Sequence, residues 1–107
     1  MRLRPGLTWY NGSKGAAITT SRSMAAELGP DNIRVNVINP VAGEMALLAQ
    51  FMGEDTPERR AKFIATVPLG RRLSRPLDIA DAALFGASDE AAFIAGACLE
   101  VDGGRSV

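Results

Sequence analysis

The sequence predicts an α/β unit built on parallel strands. Two runs that read as strands, one at Ile33–Asn39 and one at Ala97–Val101, are separated by segments with helical spacing and by no tight hairpin turn. A helical crossover between two strands leaves them parallel when they pair. About four helical segments accompany these two strands, and two strands alone make no stable parallel sheet, since such sheets are covered on both faces and need several neighbours. The missing strands are therefore expected from residues upstream of Met1 or from another chain.

Pro5-Gly6 is turn chemistry, and Thr8 is placed to cap a helix that begins near Trp9 and Tyr10 and runs to Leu28. Small residues fill its body, from Gly12 and Ser13 to Ala25 and Ala26, so a neighbouring backbone can come close. Ile18, Met24, Ala25 and Leu28 form its expected core stripe. Gly29-Pro30 is the expected stop, as a C′ glycine followed by a breaker. The Ile33–Asn39 strand follows, with Ile33, Val35 and Val37 alternating with Arg34 and Asn36, and it ends in the small-residue loop Pro40-Val41-Ala42-Gly43. Open α/β sheets bind ligands in such loops at the carboxyl ends of their strands.

Between Glu44 and Asp55, Met45, Leu48, Ala49 and Met52 recur at helical spacing with Gly53 as a stop. This greasy segment reads equally as a substrate lid or as packing against the body. Thr56-Pro57 is an N-cap and N1 pair, with Glu58 in the first turn of a mostly polar helix through Ile64. Pro68 to Arg75 reads as loop. Pro76 then opens a helix with Asp78 at its third position and a stripe of Ile79, Ala82, Ala83 and Ala87. Ser88-Asp89-Glu90 interrupts it, Ala91–Ile94 adds a turn, and the second strand ends at the turn Asp102-Gly103-Gly104.

Twelve basic and twelve acidic residues give a formal charge of zero, so nothing in the composition supplies the field that nucleic acid or anionic lipid requires. The chain has no histidine and no paired Cys-x-x-Cys motif, which argues against a metal site. No apolar run approaches membrane-spanning length. Cys98, the only cysteine, sits in an apolar run and reads as a buried thiol in a reducing, cytoplasmic setting. The cluster Arg59, Arg60, Lys62, Arg71, Arg72 and Arg75 could hold an acidic substrate, or could simply be solvated.

Chemistry is expected at Tyr10 and Lys14. Four positions apart on a helix, the only phenol of the chain and an ammonium group share one face, where the cation favours the phenolate and makes Tyr10 a usable proton donor and acceptor. The same spacing also describes an ordinary exposed helix pair.

The residues Tyr10-Asn11-Gly12-Ser13-Lys14 opening a long helix, Ile33 to Pro40 after it, the Pro76–Phe85 helix and Glu100-Val101-Asp102-Gly103-Gly104 together resemble a known family. Over nearly its whole length the chain is similar to the C-terminal part of a short-chain dehydrogenase/reductase of the glucose dehydrogenase or 3-oxoacyl-carrier-protein reductase type. The resemblance implies a single unit over residues 1–107, the C-terminal portion of a Rossmann-type doubly wound parallel sheet whose N-terminal cofactor-binding half is absent. It implies an NAD- or NADP-dependent oxidoreductase acting on a small carbonyl or alcohol. Tyr10 would be the acid/base, and Lys14 would lower its pKa and hold the nicotinamide ribose. Pro40, Val41, Gly43 and Met45 would meet the nicotinamide end, largely through backbone atoms.

Three departures from the family pattern stand out. Val41 replaces a common glycine, Met45 replaces a threonine whose hydroxyl helps bind cofactor, and the glycine-rich pyrophosphate loop, the adenosine-ribose strand and the catalytic serine have no counterpart here. The chain alone is accordingly expected to be inactive, because dinucleotide affinity in such folds comes largely from the first strand-turn-helix unit. By the same resemblance, the first helix and the last helix and strand are faces used to form homo-oligomers. The alternatives are thus a non-catalytic oligomerisation module or a truncated gene product.

Overall fold

A computed structural model describes residues 6–41, 43 and 54–107. Among them lie three α-helices, α1 (Thr8–Leu28), α2 (Pro57–Ile64) and α3 (Pro76–Ala87), and two strands, β1 (Val37–Pro40) and β2 (Cys98–Val101). Short 3-10 turns at Gly29–Asp31 and Asp89–Ala91 complete the set. Most of the segment expected to be a helix over Glu44–Asp55, including Met45, lies outside the described residues, as does Ala42.

The two strands pair in parallel, with Val37 opposite Cys98 and Pro40 opposite Val101. The expected α/β class and parallel pairing are present, but the first strand is shorter than the Ile33–Asn39 run. Side-chain chemistry at Asn36 explains where the ladder opens. Its Oδ1 accepts from the Ala97 N–H at 3.0 Å and its Nδ2 donates to the Ile94 carbonyl at 2.8 Å, so a side chain takes the place of backbone pairing. One backbone bond still reaches past this point, from Gly96 N–H to the Val35 carbonyl at 2.8 Å. Among the described residues no further strand pairs with either outer edge.

Helix α1 begins at its expected cap, one residue earlier than anticipated. Thr8 is itself helical, and Leu7 precedes it without a side-chain hydrogen bond. At the other end Gly29 remains right-handed at φ −55°, Pro30 sits inside the following 3-10 turn, and the chain reverses at Asn32, whose φ is 59°. Asparagine tolerates this left-handed conformation better than most residues, so it does the work expected of Gly29. Of the expected core stripe only Ala25 is buried; Ile18 and Leu28 are partly covered and Met24 is exposed. Ala25 faces Gly96, where an added Cβ would meet the Ala25 Cβ at 3.7 Å, and Gly96 itself has φ +72°.

Thr56 caps α2 as expected, its hydroxyl accepting from the Arg59 N–H at 3.3 Å. Helix α3 lies against both strands and opens with a capping arrangement in which Asp78 accepts from the Arg75 N–H at 2.6 Å. Its other end is held by Arg34, which donates to the Gly86 carbonyl at 2.6 Å and the Ser88 carbonyl at 3.3 Å. A guanidinium on the last carbonyls satisfies groups the helix leaves unpaired and favours the negative end of its dipole. Among the described residues the buried apolar side chains are few: Ala25, Val67, Leu73 and Ala91. The radius of gyration is 15.6 Å, against about 13 Å for a compact domain of this length.

Candidate active site

Tyr10 and Lys14 occupy the first turns of α1, and their side chains do meet. The Lys14 ammonium stands 5.5 Å from the centroid of the Tyr10 ring, a separation at which a cation and an aromatic face attract. Ser13 donates to the Tyr10 carbonyl at 2.8 Å. Both side chains are open to solvent, with Tyr10 at 42% exposure. A phenol and an ammonium on one accessible helix face can present a proton and a positive charge to the same small molecule.

The second group of candidates lies at the carboxyl end of β1. Pro40 is the last residue of that strand and exposed, Val41 donates its N–H to the Val101 carbonyl at 3.2 Å, and Gly43 is buried against Ser74 through a parallel bridge. The approach is close: an added Cβ would stand 2.8 Å from the Ser74 hydroxyl oxygen and 3.2 Å from its carbonyl oxygen, so a larger residue would displace Ser74. The Ser74 hydroxyl in turn donates to the Val41 carbonyl at 3.2 Å, so the loop is tied down from both sides.

An open cleft of about 820 Å³ lies at the carboxyl ends of the two strands. Val41, Val67, Leu69, Ser74, Val101 and Asp102 are among the residues that line it. The position agrees with the expected ligand side of such a sheet. Val41 belongs to this cleft; Tyr10 and Lys14 do not, so the described residues form two neighbourhoods rather than one closed pocket.

Charges around the cleft are mostly internal partners. Arg72 forks onto Asp78 at 2.6 and 2.8 Å, and these bonds, with the Arg75 N–H, hold the Asp78 carboxyl well below the usual carboxylate range. Arg60 pairs with Asp55. Two members of the basic cluster are thus already matched to carboxylates, which favours the solvated reading of that cluster over an acidic-substrate site. Asp102 is 7% exposed. Burial pushes its carboxyl up, yet bonds from Ser106, Gly104 and Arg105 outweigh this and leave it below its ordinary value. Its oxygens accept from the Gly104 and Ser106 N–H groups, each at 2.8 Å.

Sequence reading missed Ser74, Asn36, Thr66 and Arg105 as structural partners. None stands in a local motif, and each acts on residues far away along the chain, so spacing carried no signal. Cys98 is only partly buried, against expectation, and its Sγ accepts from Asn39 Nδ2 at 2.8 Å. Among the described residues there is no acidic or thiol cluster able to hold a metal ion, and no helix is long and apolar enough to cross a membrane.

A family profile described as enoyl-(acyl carrier protein) reductase matches residues 1–106. The chain is 49% identical over 108 residues to 4-formylbenzenesulfonate dehydrogenase of Comamonas testosteroni, a match spanning 100% of this chain and 42% of that protein. Its fold superposes with a TM-score of 0.86 on a 3-ketoacyl-(acyl-carrier-protein) reductase from Brucella melitensis complexed with NADH, at 46% identity, covering 97% of this chain and 39% of that one. A short chain dehydrogenase family protein from Francisella tularensis superposes equally well, with a TM-score of 0.86 at 29% identity, covering 97% of this chain and 46% of that one. The fold and sequence define an oxidoreductase-type α/β chain of the Rossmann class. The chain belongs to the short-chain dehydrogenase/reductase family and corresponds to its C-terminal part. It spans about four tenths of the length of the relatives it matches.

Proposed function

We propose that this chain carries the proton-transfer half of an NAD- or NADP-dependent oxidoreductase acting on a small carbonyl or alcohol. The observation that carries the reading is the approach of the Lys14 ammonium to the Tyr10 ring on an accessible face of α1, in a chain whose relatives are dehydrogenases and reductases. Tyr10 gives its phenolic proton to a carbonyl oxygen, or takes one from an alcohol in reverse. Lys14 places a positive charge beside the phenol and donates to the ribose hydroxyls of the cofactor. The backbone of Pro40, Val41 and Gly43, together with Met45, borders the nicotinamide end.

The residues present fit one end of such a cofactor. An accessible cation beside a phenol suits a ribose, and a loop pinned at Gly43 offers fixed backbone groups at the strand ends. Among the described residues no glycine-rich turn between a strand and a helix N-terminus offers a place for the pyrophosphate. When bound, the nicotinamide supplies or accepts hydride; everything else falls to the protein. Residues 1–107 act as one unit with an N-terminal cofactor-binding half, supplied by a longer chain or a partner chain that adds strands to the sheet. The assembled protein is a cytoplasmic homo-oligomer in this reading.

Titration with NADH tests it. The 107-residue chain alone is expected to show no saturable binding, whereas a longer protein containing the N-terminal half binds NADH and oxidises it when a carbonyl is added. In that longer protein Tyr10→Phe lowers turnover by about 10²–10⁴-fold while sparing cofactor affinity. Retained turnover in the Tyr10→Phe protein would remove the assigned role.

A further inference from the structure

The turn after β2 reaches across to α2, and one side chain makes most of that reach. Arg105 lays its guanidinium 4.5 Å from the centroid of the Phe63 ring and donates from Nε to the Thr66 hydroxyl at 2.8 Å. Thr66 passes the bond on, donating to the Phe63 carbonyl at 2.6 Å. Phe63 lies in the last turn of α2 and Thr66 just beyond it, so the cation also sits where the negative end of the helix dipole favours it. Three independent attractions, cation to ring, donor to hydroxyl and charge to helix end, converge on one residue.

The same two segments touch again a few ångströms away. Leu69 N–H donates to the Gly103 carbonyl at 2.9 Å, and Gly103, at φ +64°, packs so tightly on Val67 that an added Cβ would stand 2.6 Å from its Cγ1. Asp102 shapes the turn that aims Arg105, through its bonds from Gly104 and Ser106. Val67, Pro68 and Leu69 line the cleft at the strand ends, and so do Gly103 and Gly104, which lie directly against them. This part of the lining is therefore held together by what joins the turn to α2.

We propose that Arg105 is a positioning residue that latches the end of α2 onto the Asp102–Ser106 turn and so holds in place the part of the cleft lining that these two segments share. This holds whether or not the chain takes part in hydride transfer, because the latch consists wholly of contacts within the chain. It makes the turn a support for the cleft and not only the end of a strand.

Hydrogen–deuterium exchange on the intact protein tests it, comparing Arg105→Met, Arg105→Lys and Thr66→Val. Arg105→Met keeps the length of the side chain and removes its charge and donors. The amides of Ala65, Thr66, Val67 and Leu69 are expected to exchange at least tenfold faster in that variant, with those of the β1 and β2 ladder unchanged. Arg105→Lys restores part of the protection, and Thr66→Val gives a smaller, local increase. Unchanged protection at Val67 and Leu69 in both Arg105→Met and Thr66→Val overturns the proposal, as does an equal rise throughout the ladder. If Arg105→Met does not fold, Thr66→Val decides alone: local loss of protection supports the latch, and no change refutes it.

Discussion

At the scale of single residues, the central quantity is the 5.5 Å between the Lys14 ammonium and the Tyr10 ring. It converts a spacing of four positions into a physical encounter. In an active, longer protein, Lys14→Ala is expected to weaken cofactor binding, because the cation placed to donate to the ribose hydroxyls is gone. Titration of the variant with NADH checks this; an unchanged affinity would remove the assigned ribose contact. The encounter was legible in the sequence because one helical turn is a local geometry, set by the backbone alone. The bond from Arg105 to Thr66 was not, since its partners are 39 positions apart and meet only when β2 and α2 are both in place.

Elements follow the same division between local and distant causes. The start of α2 at Thr56-Pro57 and the start of α3 at Pro76 could be read directly, since capping and proline act within a turn. The first strand could not be bounded so well. Asn36 diverts the partner backbone of Ala97 and Ile94, and no pattern within Ile33–Asn39 reveals where those groups will lie. At the turn after β2, Asp102 is buried and its carboxyl is held below the ordinary value by backbone N–H groups. A depressed carboxylate contributes stability in full above its unfolded pKa of about 3.9 and loses it as the pH falls through the folded value. Thermal melts between pH 7 and pH 2 should therefore show a steeper acid loss for the native protein than for Asp102→Asn, with the variant less stable at pH 7. Asp78, depressed in the same direction by Arg72, adds to the acid loss in both proteins, so the difference between the two curves isolates Asp102.

For the molecule as a whole, the telling fact is how much apolar surface stays uncovered. Trp9 is 91% exposed, and Phe93, Leu77 and Leu84 are largely exposed as well. The accessible surface is 7681 Å², against about 5,700 Å² expected from the scaling for a folded chain of this mass. Exposed apolar area on this scale recruits partners, as do outer strand edges that no further strand covers among the described residues. The 107-residue chain on its own is thus expected to associate as its concentration rises, read by sedimentation velocity; a single monomeric species across a hundredfold concentration range would contradict this. The class of fold was legible because two strands and their helical crossover leave a strong pattern. The sparseness of the core was legible only indirectly, from the shortage of strands, because exposure depends on what packs against each face.

The parallel register has a consequence in time. Val37 finds its neighbour in Cys98, 61 positions later in the chain, as Asn39 does in Glu100. During synthesis β1 emerges on the order of 3–12 s before its partner can exist, at translation rates of about 5–20 residues per second. For that interval the mate that β1 has among the described residues does not yet exist, and whatever is already folded nearby, or a chaperone, is what shelters it.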